Sequence, residues 1–151
     1  MSIRAFSHVA VGVRDMERSL RFYRDVIGLQ ISADQPEQFP GLDGGAPIKR
    51  RGVYLRWKDG PDASFLVLDQ QLSRASFGEP PRVFEVGTHH FGFWVDDLDA
   101  IAERARAAGF ELLTQPGNAD SRDYGEAPGK KIRSCFLFDP DQNVVQVDQR
   151  L

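Results

Sequence analysis

An internal repeat is the feature of this sequence that most restricts the folds open to it. Aligning His8 with His90 places HVAVGVRDMERSLRFYRDVIG beside HFGFWVDDLDAIAERARAAG. Further along the chain, LVLDQ at residues 66–70 corresponds to VQVDQ at residues 145–149. A chain of 151 residues that contains one unit twice is expected to build two copies of one supersecondary structure.

The element types can be predicted within the first copy. Residues 8–13 alternate apolar and small or polar side chains, which is the period of a strand with one buried face. Asp15 then stands where an N-cap begins a helix, and Gly28 stands where a C′ glycine ends one. The remaining short apolar segments predict three further strands, at residues 29–31, 53–57 and 64–69, with a long loop at residues 32–52.

The second copy follows the same order. It predicts a strand at residues 90–95, a helix at residues 98–108 stopped by Gly109, and strands at residues 111–114, 132–138 and 144–148. The sequence therefore predicts an α+β protein of two tandem βαβββ modules. We place the modules at about residues 5–70 and 88–149 of one domain that spans residues 1–151.

Strand alternation also predicts which side chains lie on the sheet faces away from the helices. These faces combine two histidines with small, polar and aromatic residues, a set too small and too polar for an ordinary core. We interpret them as the lining of a cavity. The residues concerned are His8, Ala10, Gly12, Phe65, Val67, Asp69, His90, Gly92, Trp94, Gln146 and Asp148.

Three segments carry a family resemblance: HVAVGVRDMERSLRFYRDVIGL, HHFGFWVDDLDAIAERARAAGFELL and DPDQNVVQVDQ. They are similar to the vicinal oxygen chelate superfamily, which includes glyoxalase I, extradiol dioxygenases, and fosfomycin- and bleomycin-resistance proteins. The resemblance implies two βαβββ modules whose mixed sheets curl around one shared cavity. It also implies metal ligands from the first and last strands of each module, which here are the positions of His8, Val67, His90 and Gln146.

The four implied ligand positions are not all occupied by metal-binding side chains. Val67 has no donor atom, so a four-ligand glyoxalase I site is not expected. His8, His90 and Gln146 match the layout of two histidines and one carboxylate found in extradiol dioxygenases, although Gln146 supplies a neutral amide. The resulting hypothesis is a metal-dependent enzyme with a divalent Fe, Mn, Ni, Co or Zn ion that acts on a small substrate with vicinal oxygens.

A second hypothesis stays open beside the first. The same cavity would suit a metal-free protein of the bleomycin-resistance type that binds a planar ligand against Trp94, Phe65 and Tyr54. Gln146 would then be a hydrogen-bonding side chain that orients the ligand. Asp69 and Asp148 could cap turns or supply the missing carboxylate, and His89 is expected on the opposite face from His90.

The loops are expected to determine substrate specificity. Residues 32–52, 71–88 and 115–131 are long for a compact domain and could cover a binding site. Tyr124 in the last loop is the candidate catalytic residue, because a phenol over the cavity mouth could donate a proton or a hydrogen bond. The single cysteine, Cys135, is expected in the core.

Composition limits the partners. The formal net charge is −3, so no strong basic field favours nucleic acid or anionic lipid. With one cysteine, no apolar run of membrane-spanning length and no signal sequence at the start, we expect a cytoplasmic protein. A small-molecule substrate is the expected partner, and the family resemblance implies a homodimer.

Overall fold

A computed structural model describes residues 2–151 of the chain, except for the side chain of Asp43. The backbone separates into two compact units, Met1–Gly78 and Glu79–Leu151. Each unit contains one four-stranded mixed sheet with a helix packed against it. The two sheets and few helices confirm the predicted α+β class with one sheet in each tandem module.

The first sheet has the strand order β1-β4-β3-β2. The β1 strand pairs in parallel with β4, because the helix between β1 and β2 carries the chain across the sheet, whereas the other neighbours are antiparallel. The parallel register sets His8 beside Phe65, and Gly12 beside Asp69. The four strands are β1 (His8–Val13), β2 (Gln30–Phe39), β3 (Ile48–Arg56) and β4 (Phe65–Gln71).

The helix of the first unit begins and ends at the residues predicted for it. The Asp15 carboxylate accepts a hydrogen bond from the backbone N–H of Arg18 at 3.0 Å, which caps the α-helix α1 (Met16–Leu20). The chain continues without a break as a π-helix (Arg21–Ile27) and leaves it at Gly28. Gly28 has φ of +97°, a left-handed conformation that glycine adopts without a steric penalty.

The second sheet repeats the topology with the order β5-β8-β7-β6. Its parallel pair, β5 with β8, sets Gly92 beside Gln146 and Trp94 beside Asp148. Asp97 caps the helix α2 (Leu98–Ala107) by accepting from the backbone N–H of Ala100 at 2.9 Å. The strands are β5 (Phe91–Trp94), β6 (Gly117–Asp120), β7 (Lys131–Phe138) and β8 (Val144–Arg150).

The apolar alternation places the core of each unit between its helix and its sheet. In the first unit Val11, Val13, Leu66 and Leu68 are buried, as are Met16, Phe22 and Tyr23 of the helical segment. In the second unit the buried residues include Leu98, Ile101, Cys135, Val145 and Val147. The open faces of the sheets, away from the helices, therefore carry the other side chains of the strands.

The predicted loop at residues 32–52 is wrong, because most of it forms the paired strands β2 and β3. The β2 strand is at the sheet edge, and most of its side chains are exposed, so it lacks the apolar alternation by which strands are recognised. Ion pairs hold it to β3 instead: Arg51 pairs with Asp34, and Arg50 pairs with Glu37.

The edge strand of the second unit also differs from the prediction. Residues 111–114 make only an isolated bridge, between Leu112 and Leu137, and β6 lies inside the segment 115–131 that was predicted as a loop. The sequence of β6, Gly-Asn-Ala-Asp, has no β-branched or aromatic residue, so propensity gives no indication of a strand there. Within residues 2–151, no helix is long and apolar enough to cross a membrane.

The helix end at Gly28 can be tested with a matched pair of substitutions. We expect Gly28→Ala to lower the free energy of unfolding by about 1–2 kcal/mol, because alanine is strained at positive φ. Gly12→Ala is the control, since a Cβ there meets no atom within 4 Å and the backbone needs no left-handed conformation. Urea denaturation would measure both, and equal effects would contradict the assignment of Gly28 as the terminator.

Candidate functional site

The open face of the second unit brings together polar side chains from two strands, β7 and β8, and from the segment that contains Tyr124. Ser134 of β7 lies opposite Asp148 of β8, and Phe136 lies opposite Gln146. Gly92 of β5 adds no side chain to this face, and a Cβ there would lie 3.6 Å from Oδ2 of Asp148. The small residue therefore leaves room beside Gln146 and Asp148.

Asp148 is the hydrogen-bond acceptor at the centre of this cluster. It is only 5% exposed, and its Oδ1 accepts from the Tyr124 hydroxyl at 2.7 Å and from Nε2 of Gln146 at 2.9 Å. A buried carboxylate is costly unless it is hydrogen-bonded. The two donors therefore offset the cost of burying Asp148 and fix the position of its side chain.

Gln146 is oriented by three acceptors. Its Nε2 donates to Asp148 and also lies 3.2 Å from both the Tyr124 hydroxyl and the Ser134 hydroxyl. Because the amide nitrogen carries only two hydrogens, these three contacts share them. The amide oxygen is the atom of Gln146 that can then serve a metal or a substrate.

Tyr124 reaches the open face from a short 3-10 helix (Ser121–Tyr124). A reciprocal capping box between Asp120 and Asp123 fixes the start of this helix, and Gly125 ends it with φ of +72°. Burial and the hydrogen bond to Asp148 raise the pKa of the Tyr124 phenol to about 12. Tyr124 is therefore a protonated hydrogen-bond donor at neutral pH.

His90 lies just before β5 and is half-buried. Burial lowers the pKa of His90, and the neighbouring His89 lowers it further, whereas the charge of Asp148 opposes these effects. Neutral imidazole is the form that binds metals. Nδ1 of His90 lies 2.8 Å from Nδ1 of His89, so Nε2 is the nitrogen left for another partner.

The same contact corrects the placement of His89. Strand alternation predicted this residue on the opposite face from His90, but the two rings lie side by side, with their centroids 4.6 Å apart. Both histidines precede the first residue of β5, and strand alternation does not apply outside the strand.

Trp94 is the largest exposed side chain of β5, with 51% of its surface accessible. The ring of Tyr124 lies 5.0 Å from it, and the guanidinium of Arg150 stands 4.1 Å above its indole ring. Arg150 is also paired with Glu126. Trp94 thus lies between the polar cluster and the Arg150–Glu126 ion pair.

In the first unit, His8 and Phe65 start the open face. Their rings stack with centroids 4.9 Å apart, and Nδ1 of His8 lies 3.0 Å from the Ser7 hydroxyl, which leaves Nε2 for another partner. Val67, the fourth family ligand position, is 3% exposed and pairs with Ala10 and Tyr54 on the neighbouring strands.

The first unit also contains an ionic cluster around Arg50. Nε of Arg50 donates to Glu37 at 2.7 Å, Nη1 donates to Oδ2 of Asp69, and the Tyr54 hydroxyl donates to Glu37 at 2.7 Å. Sequence reasoning named Asp69 and Tyr54 but missed Glu37 and Arg50. Both missed residues belong to the segment predicted as a loop, and only the opposite charges of the two segments could have suggested their pairing.

One atom of this cluster has no hydrogen-bond partner among the described residues: the buried Oδ1 of Asp69. Burial raises the pKa of Asp69, and the negative charge of Glu37 raises it further, while the positive charges of Arg50 and His8 oppose the shift. A buried oxygen left unsatisfied costs about 1–3 kcal/mol. Such atoms normally meet a ligand, a water molecule or a proton.

Metal binding cannot rest on acidic and imidazole groups alone. Neither unit, over residues 2–151, brings three His, Cys, Asp or Glu side chains into an arrangement that could hold a metal ion. The metal set predicted from the sequence therefore depends on the amide oxygen of Gln146.

Comparison with known proteins decides the family. The family model described as the glyoxalase/bleomycin resistance protein/dioxygenase superfamily matches residues 5–147. The chain belongs to this superfamily. Its duplicated module and the histidines at the start of each module are thus features of a superfamily member, and the family resemblance predicted from the three sequence segments is confirmed.

The curated relatives in this superfamily include lyases and an epimerase. Lactoylglutathione lyase of Haemophilus influenzae is 28% identical over 138 residues, which are 89% of this chain and 84% of the relative. Probable chloroplastic lactoylglutathione lyase of Arabidopsis thaliana is 28% identical over 140 residues, 91% of this chain. The chain spans only 33% of that plant protein. The 2-epi-5-epi-valiolone epimerase of an Actinomyces species is 31% identical over 119 residues, 74% of this chain and 63% of the relative.

Solved structures support the fold. A glyoxalase family protein from Bacillus cereus superposes with a TM-score of 0.76 at 15% identity and covers 100% of this chain and 97% of its own. The fosfomycin resistance protein FosX from Mesorhizobium loti gives a TM-score of 0.59 at 23% identity, with 97% and 91% covered. At these identities the likeness concerns the fold.

The hydrogen bond between Tyr124 and Asp148 can be measured with a double-mutant cycle. Tyr124→Phe should lower the free energy of unfolding by about 1–3 kcal/mol, because the buried carboxylate loses a donor. In the background of Asp148→Asn the same change should cost less, giving a coupling energy of at least about 0.5 kcal/mol. Additive effects in urea denaturation would show that the bond contributes nothing to stability.

Proposed function

We propose that this protein is a metal-dependent enzyme of the superfamily that acts on a small organic substrate with adjacent oxygen atoms. His8, His90 and Gln146 are the proposed metal ligands. The observation that carries the proposal is the open face of the second unit, where a histidine with a lowered pKa lies just before β5 and an oriented amide lies on β8 of the same unit.

The donor atoms fit a divalent transition metal. Neutral imidazole suits Zn, Fe, Ni and Co, and an amide oxygen is a neutral ligand that leaves the charge of the ion uncompensated. Val67 has no donor atom, so only three of the four family ligand positions can bind a metal ion. When bound, the metal would act as a Lewis acid toward substrate oxygens.

The residues of the second unit perform the binding steps that need no metal. Tyr124, protonated up to about pH 12, donates a hydrogen bond to a substrate oxygen in exchange for its bond to Asp148. Gln146 presents its amide oxygen because Ser134, Tyr124 and Asp148 hold its nitrogen. Asp148 acts as a positioning residue for both side chains.

Proton transfer is the reaction class that we favour. The extradiol-dioxygenase layout predicted from the sequence needs a carboxylate where Gln146 stands, and the curated relatives described above are named lyases and an epimerase. Substrates with a hydroxyl beside a carbonyl would fit this class. Dioxygenation would instead consume oxygen with a catechol, and we expect no such consumption.

A metal-free binding protein is the second candidate. The exposed Trp94 with Tyr124 beside it, and Phe65 near Tyr54 at 5.8 Å, offer flat aromatic surfaces for a planar ligand. The loss of a donor at Val67 also favours this reading. Under either function we propose a cytoplasmic homodimer with a small-molecule partner.

Metal uptake separates the two candidates. We expect protein purified without chelator to contain about one divalent ion per chain, and the thermal midpoint to rise when Ni²⁺, Zn²⁺, Co²⁺, Mn²⁺ or Fe²⁺ is added to stripped protein. His90→Ala and Gln146→Ala should each weaken uptake at least tenfold, and the pair His8→Ala with His90→Ala should abolish it.

His89→Ala is the matched control for these substitutions. It removes the neighbouring imidazole but not a proposed ligand, so stripped protein carrying it should still take up metal. Elemental analysis and thermal shift provide the readouts. A wild-type chain with no bound ion and no shift with any of the five metals would refute the enzyme proposal and favour the metal-free binding protein.

A further inference from the structure

The carboxyl groups Asp69 and Asp148 occupy equivalent places in the two modules but have different surroundings. Each follows the family ligand position by two residues, in LVLDQ and VQVDQ. Asp148 is satisfied by a phenol and an amide through Oδ1. Asp69 is bonded to Arg50 through Oδ2, and its Oδ1 has no partner among the described residues. The two equivalent carboxylates therefore differ: Asp148 accepts from two donors, whereas Oδ1 of Asp69 has no hydrogen-bond partner among the described residues.

Open space lies beside Asp69 on the strand next to it. Gly12 is its register partner on β1, and a Cβ built on Gly12 would meet no atom within 4 Å. On the other side, Gly52 of β3 is also in register with Asp69, but there the space is taken by Glu37, which a Cβ would approach to 3.1 Å. The strand next to Asp69 therefore leaves space for a small ligand at Gly12, while the Arg50 cluster occupies the other side of Asp69.

We propose that Asp69 is the catalytic base of the reaction, replacing the carboxylate that is absent at the family ligand positions Val67 and Gln146. This proposal rests on the proposed function, because it concerns a substrate with a hydroxyl beside a carbonyl. The Asp69 side chain is 21% exposed, and its unpartnered Oδ1 is buried. Arg50 is a positioning residue that fixes the carboxylate by its bond to Oδ2.

The proton-transfer step conserves atoms and electrons without another reactant. The Asp69 carboxylate takes a proton from the carbon that bears the hydroxyl and becomes a carboxylic acid. The electron pair of that C–H bond forms a carbon–carbon double bond, and the carbonyl π pair moves to oxygen. Return of the proton to the same carbon, with the oxygen electron pair restoring the carbonyl, gives back the substrate or inverts the centre. Return to the adjacent carbon gives the isomer when the hydroxyl proton also passes to the other oxygen, so that the carbon that bore the hydroxyl becomes the carbonyl.

The surroundings of Asp69 make its carboxylate more basic than that of an ordinary aspartate. The groups that act on it are Arg50 and Glu37 of the neighbouring strands, with His8 of β1. Burial and Glu37 raise its pKa, so the carboxylate holds a proton more strongly than an ordinary aspartate and is a stronger base when ionised. Tyr54 contacts Glu37 and Arg50, which completes the cluster.

Proton exchange with a defined probe tests the proposal. Dihydroxyacetone in D₂O, with metal-loaded full-length protein, should exchange its carbon-bound hydrogens for deuterium, followed by NMR. Asp69→Asn should slow the exchange at least about 100-fold, the typical contribution of a general base. Asp34→Asn is the matched control. It removes a carboxylate of the same sheet that pairs with Arg51, on the face where Arg51 also contacts Glu17 of α1. This variant should leave the exchange rate unchanged.

The pH profile provides a readout that a structural role would not change. The exchange rate should rise with pH through the raised pKa of Asp69. Arg50→Gln removes the positive charge that lowers this pKa, so the inflection should move to higher pH. Glu37→Gln removes the negative charge that raises it, so the inflection should move to lower pH. These two variants also test the proposal if Asp69→Asn does not fold.

The outcomes distinguish the base from the metal site. Exchange that persists in Asp69→Asn within twofold of wild type, or an inflection that neither charge variant moves, would overturn the role of Asp69. Wild-type protein that binds metal but shows no hydrogen exchange would also overturn the role of Asp69, without contradicting the proposed metal ligands. Exchange without metal that disappears in Asp69→Asn would support Asp69 and refute the metal dependence.

Discussion

The parallel pairing of the first and last strands of each module is the constraint on which the rest of the structure depends. It brings His8 beside Phe65 and Gly92 beside Gln146, residues that are more than fifty positions apart in the chain. A parallel pair requires a crossover, and the capped helix after each first strand provides it. Because the helix covers one face of the sheet, the other face remains for polar and small side chains, and every candidate functional residue discussed above lies on or beside that face.

The same topology holds two different electrostatic environments. In the second unit the open face carries neutral donors, a phenol and an amide, around one buried carboxylate. In the first unit a guanidinium lies between two carboxylates, and one carboxylate oxygen has no hydrogen-bond partner in the part of the chain that the structure describes. The two environments suit different roles: the donors around Asp148 orient side chains in the second unit, and we propose that the Asp69 carboxylate of the first unit accepts a proton.

Much of the fold and part of the site could be predicted from the sequence. The strand His8–Val13, the Asp15 cap of the first helix and the glycine after that helix were predictable because alternation, capping chemistry and positive φ are local properties. Most of the edge strand β2, beyond residue 31, and the edge strand β6 were not, because their side chains are polar and their pairing depends on ion pairs and backbone bonds from other segments. Glu37 and Arg50 were missed for the same reason, and the contact between His89 and His90 depends on backbone conformation outside a strand.

Calorimetric titration of chelator-treated protein with Ni²⁺ tests the central claim, binding of a metal by neutral ligands, most directly. Neutral imidazole and amide ligands bind a metal ion without losing a proton, so at about pH 8, above the ordinary pKa of histidine side chains, binding should release almost no protons. We predict one Ni²⁺ per chain, with the same heat in buffers of different ionisation enthalpy. A heat that follows the buffer's ionisation enthalpy would show that a protonated ligand is displaced, and the absence of binding heat would contradict the metal site altogether.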